Sequence, residues 1–276
     1  MSFNAWSEFS CPDECERYGC KEPDLHISIS LVDLMTISLI TGKKSLDLFE
    51  RDCKIGFDPM NDGEPWLGWI SIELRKPCSF LDEKECSIYP GRPIACALFP
   101  EYNFMVENRD FLLKKDIFRE FPCIQNPCFI PPQRKKMLQK LLDMFRKEKF
   151  LSDFYLFGIS PFVLDLKSVA GEGLEGIHIS EDGMARIPHH QIESLISRRL
   201  REGEYLDEWK AKIEELDRLG GVNRLTEMSC WTDQMAGQGW TSFGISYQFD
   251  GNRLQPVHLH RNFPPIGGGK IIKKQP

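Results

Sequence analysis

Eight cysteines of this chain fall into three groups, and that grouping constrains the fold more than any other feature. Cys11, Cys15 and Cys20 are separated by three and four residues, Cys78, Cys86 and Cys96 by seven and nine, and Cys123 and Cys128 by four. Cys53 and Cys230 stand alone. A chain of 276 residues, 41% hydrophobic and with 19 Phe and 6 Trp, can bury a core without covalent staples. The cysteine excess therefore serves something other than stability.

The opening MSFNAWSEFSCPDEC lacks a basic segment followed by an apolar run and does not read as a signal peptide. No stretch approaches the roughly 18 consecutive apolar residues of a membrane span. The most apolar run, 27–40, is interrupted by Ser28, Ser30, Asp33, Thr36 and Ser38. The expectation is a cytoplasmic chain with reduced thiols and no membrane association. In that setting a cysteine group is a metal or redox site rather than a disulfide framework.

Thiolate is the form that binds zinc, Cu(I) and iron–sulfur clusters. Structural zinc sites favour two tight C-x2–4-C knuckles. The spacings around Cys15 fit the loose end of that pattern; those around Cys86 do not. A cluster is wider than one ion and accepts thiolates from separate loops, so spacing leans toward iron–sulfur and leaves zinc as the alternative. All eight grouped cysteines are expected in loops and are candidate ligands. Cys53 and Cys230 read as buried core thiols, Cys53 within a helix.

The expected fold class is α+β. Ser30 caps a helix with Asp33 three residues on and Gly42 at its end, and Leu31, Leu34, Met35 and Ser38 mark its buried stripe. A short helix follows Ser45, using Leu46, Phe49 and Cys53. Ile70, Ile72 and Leu74 alternate on one face of a strand from Trp69. Pro131-Pro132 open a helix to about Lys149, with Met137, Leu138, Leu141, Leu142 and Phe145 on its apolar face. Beyond Ser160-Pro161 the reading is a hairpin at 177–187, helices at 189–201 and 205–219, and a hairpin with Phe243, Ile245, Tyr247 and Phe249 before Asp250-Gly251. A soft boundary falls at residue 131: residues 1–130 form the cysteine-cluster metal-binding domain, and 131–276 a helix-and-hairpin region.

Residues 1–130 hold 14 Lys and Arg against 22 Asp and Glu, a net charge of −8; the remainder carries +2. Neither half shows the basic excess of a nucleic-acid binder. The run 134–149, with seven basic residues and two acids, reads as a solvated helix face.

Phe9-Ser10-Cys11-Pro12-Asp13-Glu14-Cys15, then Cys20, Pro77-Cys78-Ser79-Phe80-Leu81-Asp82, Cys86-Ser87-Ile88-Tyr89 and Arg92-Pro93-Ile94-Ala95-Cys96-Ala97-Leu98-Phe99-Pro100 follow one another in this order. This pattern resembles the CxxCxxCC (YkgJ-like) family of zinc- or iron-chelating cysteine-cluster proteins, over about residues 9–130. The resemblance implies Cys11, Cys15, Cys20, Cys78, Cys86 and Cys96 as ligands, with Cys123 and Cys128 matching the family's later cysteine region. Two departures stand out. Lys21 follows Cys20 where the family has a second cysteine, and Ala97 stands where an arginine is frequent, so the number of metal atoms is not carried over. The family is distantly similar to flagellin lysine N-methylase, which implies a methylase alternative using S-adenosylmethionine. Gly171-Glu172-Gly173 and Gly267 to Gly269 do not form the glycine turn such a cofactor commonly needs.

Arg92, between two ligand cysteines, is the candidate cofactor contact: it would hydrogen-bond a cluster sulfide or offset thiolate charge, or else pair with Asp82, Glu83 or Glu85. His26 is a candidate replacement ligand. His258 and His260 share a strand face, and His189-His190 open a helix. No G-x-S-x-G or GxxxxGK[ST] motif occurs, and no catalytic residue is assigned. The surface of 131–276 is the expected place for a protein partner or protein substrate.

Overall fold

The computed structural model describes residues 15–59, 67–106, 118–125, 130–157, 163–165, 205–219, 244–249 and 254–260. Its mixture of helices and small antiparallel sheets is α+β. The organising element is helix α2, Leu31–Thr41, which follows a one-turn helix α1, Tyr18–Lys21, and a short strand β1, Ser28–Ile29. Its first turn is closed reciprocally: the Ser30 hydroxyl accepts from the Asp33 amide at 3.0 Å, and the Asp33 carboxylate accepts from the Ser30 amide at 3.1 Å. Gly42 ends it with φ 67°, the left-handed conformation glycine adopts at least cost. The expected stripe widens to every residue from Leu31 to Ser38, all buried. A helix buried on all sides belongs at the centre of a domain.

Helix α3, Ser45–Asp52, follows and buries Leu48 and Phe49. The chain then enters strand β2, Cys53–Pro59, which pairs antiparallel with strand β3, Leu67–Leu74. Cys53 thus stands in a strand opposite Leu74, not in a helix, and is 2% exposed. Its reading as a core thiol holds. The other edge of β3 takes β1 and then strand β6, Val163–Asp165. As the central strand, β3 is buried from Ile70 to Leu74 on both faces.

Between β3 and position 106 the chain makes strands β4, Leu81–Asp82, and β5, Glu85–Cys86, a 3-10 turn at Tyr89–Gly91, and helices α4, Ile94–Leu98, and α5, Glu101–Val106. A one-turn helix α6, Pro122–Gln125, precedes helix α7, Pro132–Phe157. α7 runs eight residues past the expected Lys149. Leu138, Leu141 and Leu142 pack with Ile94, Leu98 and Ile130. Around the end of the expected span α7 buries Glu148 and, beyond it, Ser152, whose side chains reach the start of α2: Ser30 Oγ lies 3.1 Å from Glu148 Oε2, and Ser152 Oγ accepts from the Leu31 amide at 2.8 Å. Polar residues on that face concealed it from an apolar-periodicity reading.

Helix α8, Tyr205–Leu219, has the expected bounds and inserts Trp209, Ile213 and Leu216 into the same core as Leu34, Ile37 and Ile72. The core therefore runs across residue 131. Strands β7, Gly244–Phe249, and β8, Leu254–His260, form the expected C-terminal hairpin. The hairpin at 177–187 and the helix at 189–201 lie outside the described residues. Among the described residues, no helix is long and apolar enough to cross a membrane.

Candidate metal centre

Four short segments carry four of the six thiols of the first two groups. Cys20 sits in α1, Cys78 in the turn after β3, Cys86 in β5 and Cys96 in α4. Of the candidate ligands expected in loops, Cys20, Cys86, Cys96 and Cys123 (in α6) occupy these elements instead. One turn of helix needs little periodic signal in the sequence, which is why they read as loops. Cys15 and Cys123 are buried; Cys20, Cys78, Cys86 and Cys96 are half-buried. Cys11, Cys128 and Cys230 lie outside the described residues.

Backbone contacts draw these segments together. The Cys78 amide donates to the Cys20 carbonyl at 2.8 Å. The Lys76 ammonium donates to the Gly19 carbonyl, and Arg17 Nε to the Lys84 carbonyl at 2.7 Å. Glu16, Arg17 and Glu83 take left-handed φ values of 43°, 62° and 49°. That conformation is costly for residues with a Cβ and recurs at sites the surrounding structure over-determines. Behind the thiols stands an aromatic wall: Phe121 meets Tyr18, Phe99 and Phe118 with ring centres 5.8, 5.6 and 5.7 Å away. Gly19 sits against Phe99 and Phe121, and Cys78, Cys86 and Cys96 pack on the same core.

The electrostatics tie the thiols into one neighbourhood. Burial pushes the Cys96 thiol well above its ordinary range; Lys76 and Arg92 draw it down, while Cys20 and Cys78 push it up. Burial also raises Cys86, opposed by a hydrogen bond from the Ile88 amide and by the charges of Arg92 and Arg17, with Cys78 adding to the rise. Cys53 is raised by burial and by Asp52, and it too feels Cys78. Arg92 places its guanidinium 4.3 Å from the centre of the Tyr89 ring, and its charge reaches both Cys86 and Cys96. Among the described residues, no three Cys, His, Asp or Glu side chains converge closely enough to hold a single ion. The thiols are neighbours with cations beside them. This donor set fits a thiolate-bound metal in kind, and ligation requires the side chains to draw inward.

His26 is engaged elsewhere: its Nδ1 lies 2.8 Å from Glu73 Oε2, in the sheet. His258 and His260 stand two apart on β8, opposite Ser246 and Gly244. His189, His190 and both glycine segments weighed for a cofactor turn lie outside the described residues. Lys76 and Arg17 were not singled out from sequence. The available signal was a basic residue within three positions of Cys78, Cys15 and Cys20.

Cysteines from separate short segments, with guanidinium and ammonium groups beside them, are the donor set a chelating domain would use. Residues 10–121 match the model of the CxxCxxCC family, described as "Putative zinc- or iron-chelating domain". No curated protein and no solved structure matches the chain, and the expected distant similarity to flagellin lysine N-methylase is unsupported.

Proposed function

We propose that this chelating domain holds an iron–sulfur cluster, with Cys20, Cys78, Cys86 and Cys96 supplying thiolates. One observation carries the reading: Cys96 shares its electrostatic surroundings with Cys20 and Cys78, Cys86 shares its own with Cys78, and Arg92 acts on Cys86 and Cys96 together. Four thiols on four separate elements suit a group wider than one ion. Arg92 offsets the negative charge that four thiolates create on deprotonation. A bound cluster supplies one-electron chemistry, which fits a redox, sensing or protein-modification role in a reducing compartment such as the cytoplasm. Cys11, Cys15, Cys123 and Cys128 are the remaining candidate ligands, and the surface of 131–276 is the candidate contact for a protein partner or substrate.

A structural zinc site is the second reading. The Cys78 amide bonded to the Cys20 carbonyl favours it, because that tie pins two thiol-bearing turns together as a structural metal would.

Anaerobic purification without added metal, followed by assay of iron, acid-labile sulfide and zinc with a visible spectrum, separates the two. Iron and sulfide in similar amounts with broad visible absorption support the cluster. Zinc without colour replaces it by the structural site. Cys78→Ala and Cys96→Ala are each expected to lower metal content, and Cys230→Ala to leave it unchanged. Equal loading in all three refutes the ligand assignment.

A further inference from the structure

The segment bearing Cys20 and the segment bearing Cys78 are far apart in sequence, and nothing covalent joins them. Their approach is held by the Cys78 amide on the Cys20 carbonyl at 2.8 Å, by Arg17 Nε on the Lys84 carbonyl at 2.7 Å, and by the Lys76 ammonium on the Gly19 carbonyl. Two of these ties bring a whole positive charge to the thiols, Arg17 beside Cys86 and Lys76 beside Cys96, and Lys76 is the one that bonds the Cys20 segment from the Cys78 segment. Lys76 is half-buried, two residues before Cys78, and its head group bonds the residue directly before Cys20. Its charge also reaches the Cys96 thiol.

We propose that Lys76 is a positioning residue of the metal centre: it clamps the Cys20 turn to the Cys78 turn and compensates the charge of the assembled thiolates. The inference rests on the chelating reading of the same thiols. A cation fixed by a carbonyl at one end of the site lowers the cost of gathering several thiolates in half-buried surroundings, where like charges repel strongly. Arginine at this position retains both the charge and the donor; methionine retains the length and removes both.

The test compares wild type, Lys76→Met and Lys76→Arg in the full chain. Zinc affinity is read by chelator competition at low and high salt, and amide hydrogen exchange of the peptide containing Cys78 is read in metal-free protein. Lys76→Met is expected to weaken zinc binding about 10-fold or more, the range found when partners of metal ligands are removed. The deficit should shrink at high salt, because screening weakens the charge that was lost. Exchange at Cys78 should accelerate, and Lys76→Arg should restore affinity to within about 3-fold. Unchanged affinity and exchange in Lys76→Met overturn the proposal. A salt-independent loss that arginine does not rescue overturns the charge role. If wild type binds no zinc under these conditions, iron loading replaces zinc as the probe. If it binds neither metal, the chelating reading falls and the exchange data alone judge the clamp: faster exchange in Lys76→Met upholds it, and unchanged exchange overturns it.

Discussion

Gly56 and Glu73 show how one buried charge dictates its neighbours. Glu73 is fully buried in the central strand, bonded to His26 at 2.8 Å and to the Ser71 hydroxyl at 3.1 Å, with Lys54 at 3.6 Å. A Cβ on Gly56 would lie 1.8 Å from Glu73 Oε1, so only glycine leaves room for the carboxylate. Gly56→Ala is expected to destabilise the fold by about 3 kcal/mol in urea denaturation. Burial pushes Glu73 up, but His26, Lys54 and Ser71 together hold it below the usual carboxylate range. A carboxylate lowered on folding stabilises above its unfolded value, and that contribution fades as pH falls through the folded one. Glu73→Gln should therefore cost about 3 kcal/mol at pH 7. Its deficit against wild type should narrow below about pH 4. An equal deficit at pH 7 and pH 3 would contradict that assignment.

At the scale of elements, capping divides into what the chain does locally and what it borrows. Helix α2 carries both ends in its own sequence, Ser30 with Asp33 at the start and Gly42 at the finish. Helix α3 has no side-chain cap from Lys44; Asp217 of α8 accepts from the Ser45 and Leu46 amides at 2.9 and 3.1 Å instead. The bounds of α8 were legible because Trp209, Ile213 and Leu216 recur at helical spacing. Its job of capping another helix was not, because Asp217 is one acid among several on that face. Asp217→Ala is expected to lower stability by about 1–2 kcal/mol, and exchange of the Ser45 and Leu46 amides should rise with it. Unchanged protection there would place the stabilisation elsewhere.

For the whole molecule, the composition shift near residue 131 marks a change of character while the core continues through it. Trp209 is 1% exposed and shares its cluster with Leu48, Phe57 and Ile72. Trp209→Ala should cost about 3–5 kcal/mol, and it should shift the unfolding transition of the cysteine-bearing half equally. Independent transitions for the two halves would contradict a shared core. Metal loading is expected to depend on pH in one direction. Burial raises the Cys86 and Cys96 thiols, and ligation requires them deprotonated, so affinity should weaken as pH falls from 8 to 6. Chelator competition across that range checks it; a flat profile would argue that these two thiols are not ligands.

By itself the sequence determined the cysteine pattern that matches a chelating-family model over residues 10–121, helices α2 and α8 and the C-terminal hairpin. Spacing, caps and turn residues act over a few positions and leave a readable trace. Tertiary structure alone decided that Glu73 occupies the space Gly56 leaves open, that Asp217 caps α3 from 172 residues along the chain, and that Lys76 bonds the Gly19 carbonyl beside Cys20. Each of these pairs residues remote in sequence, and burial and electrostatics select such pairs only once the chain has closed on itself.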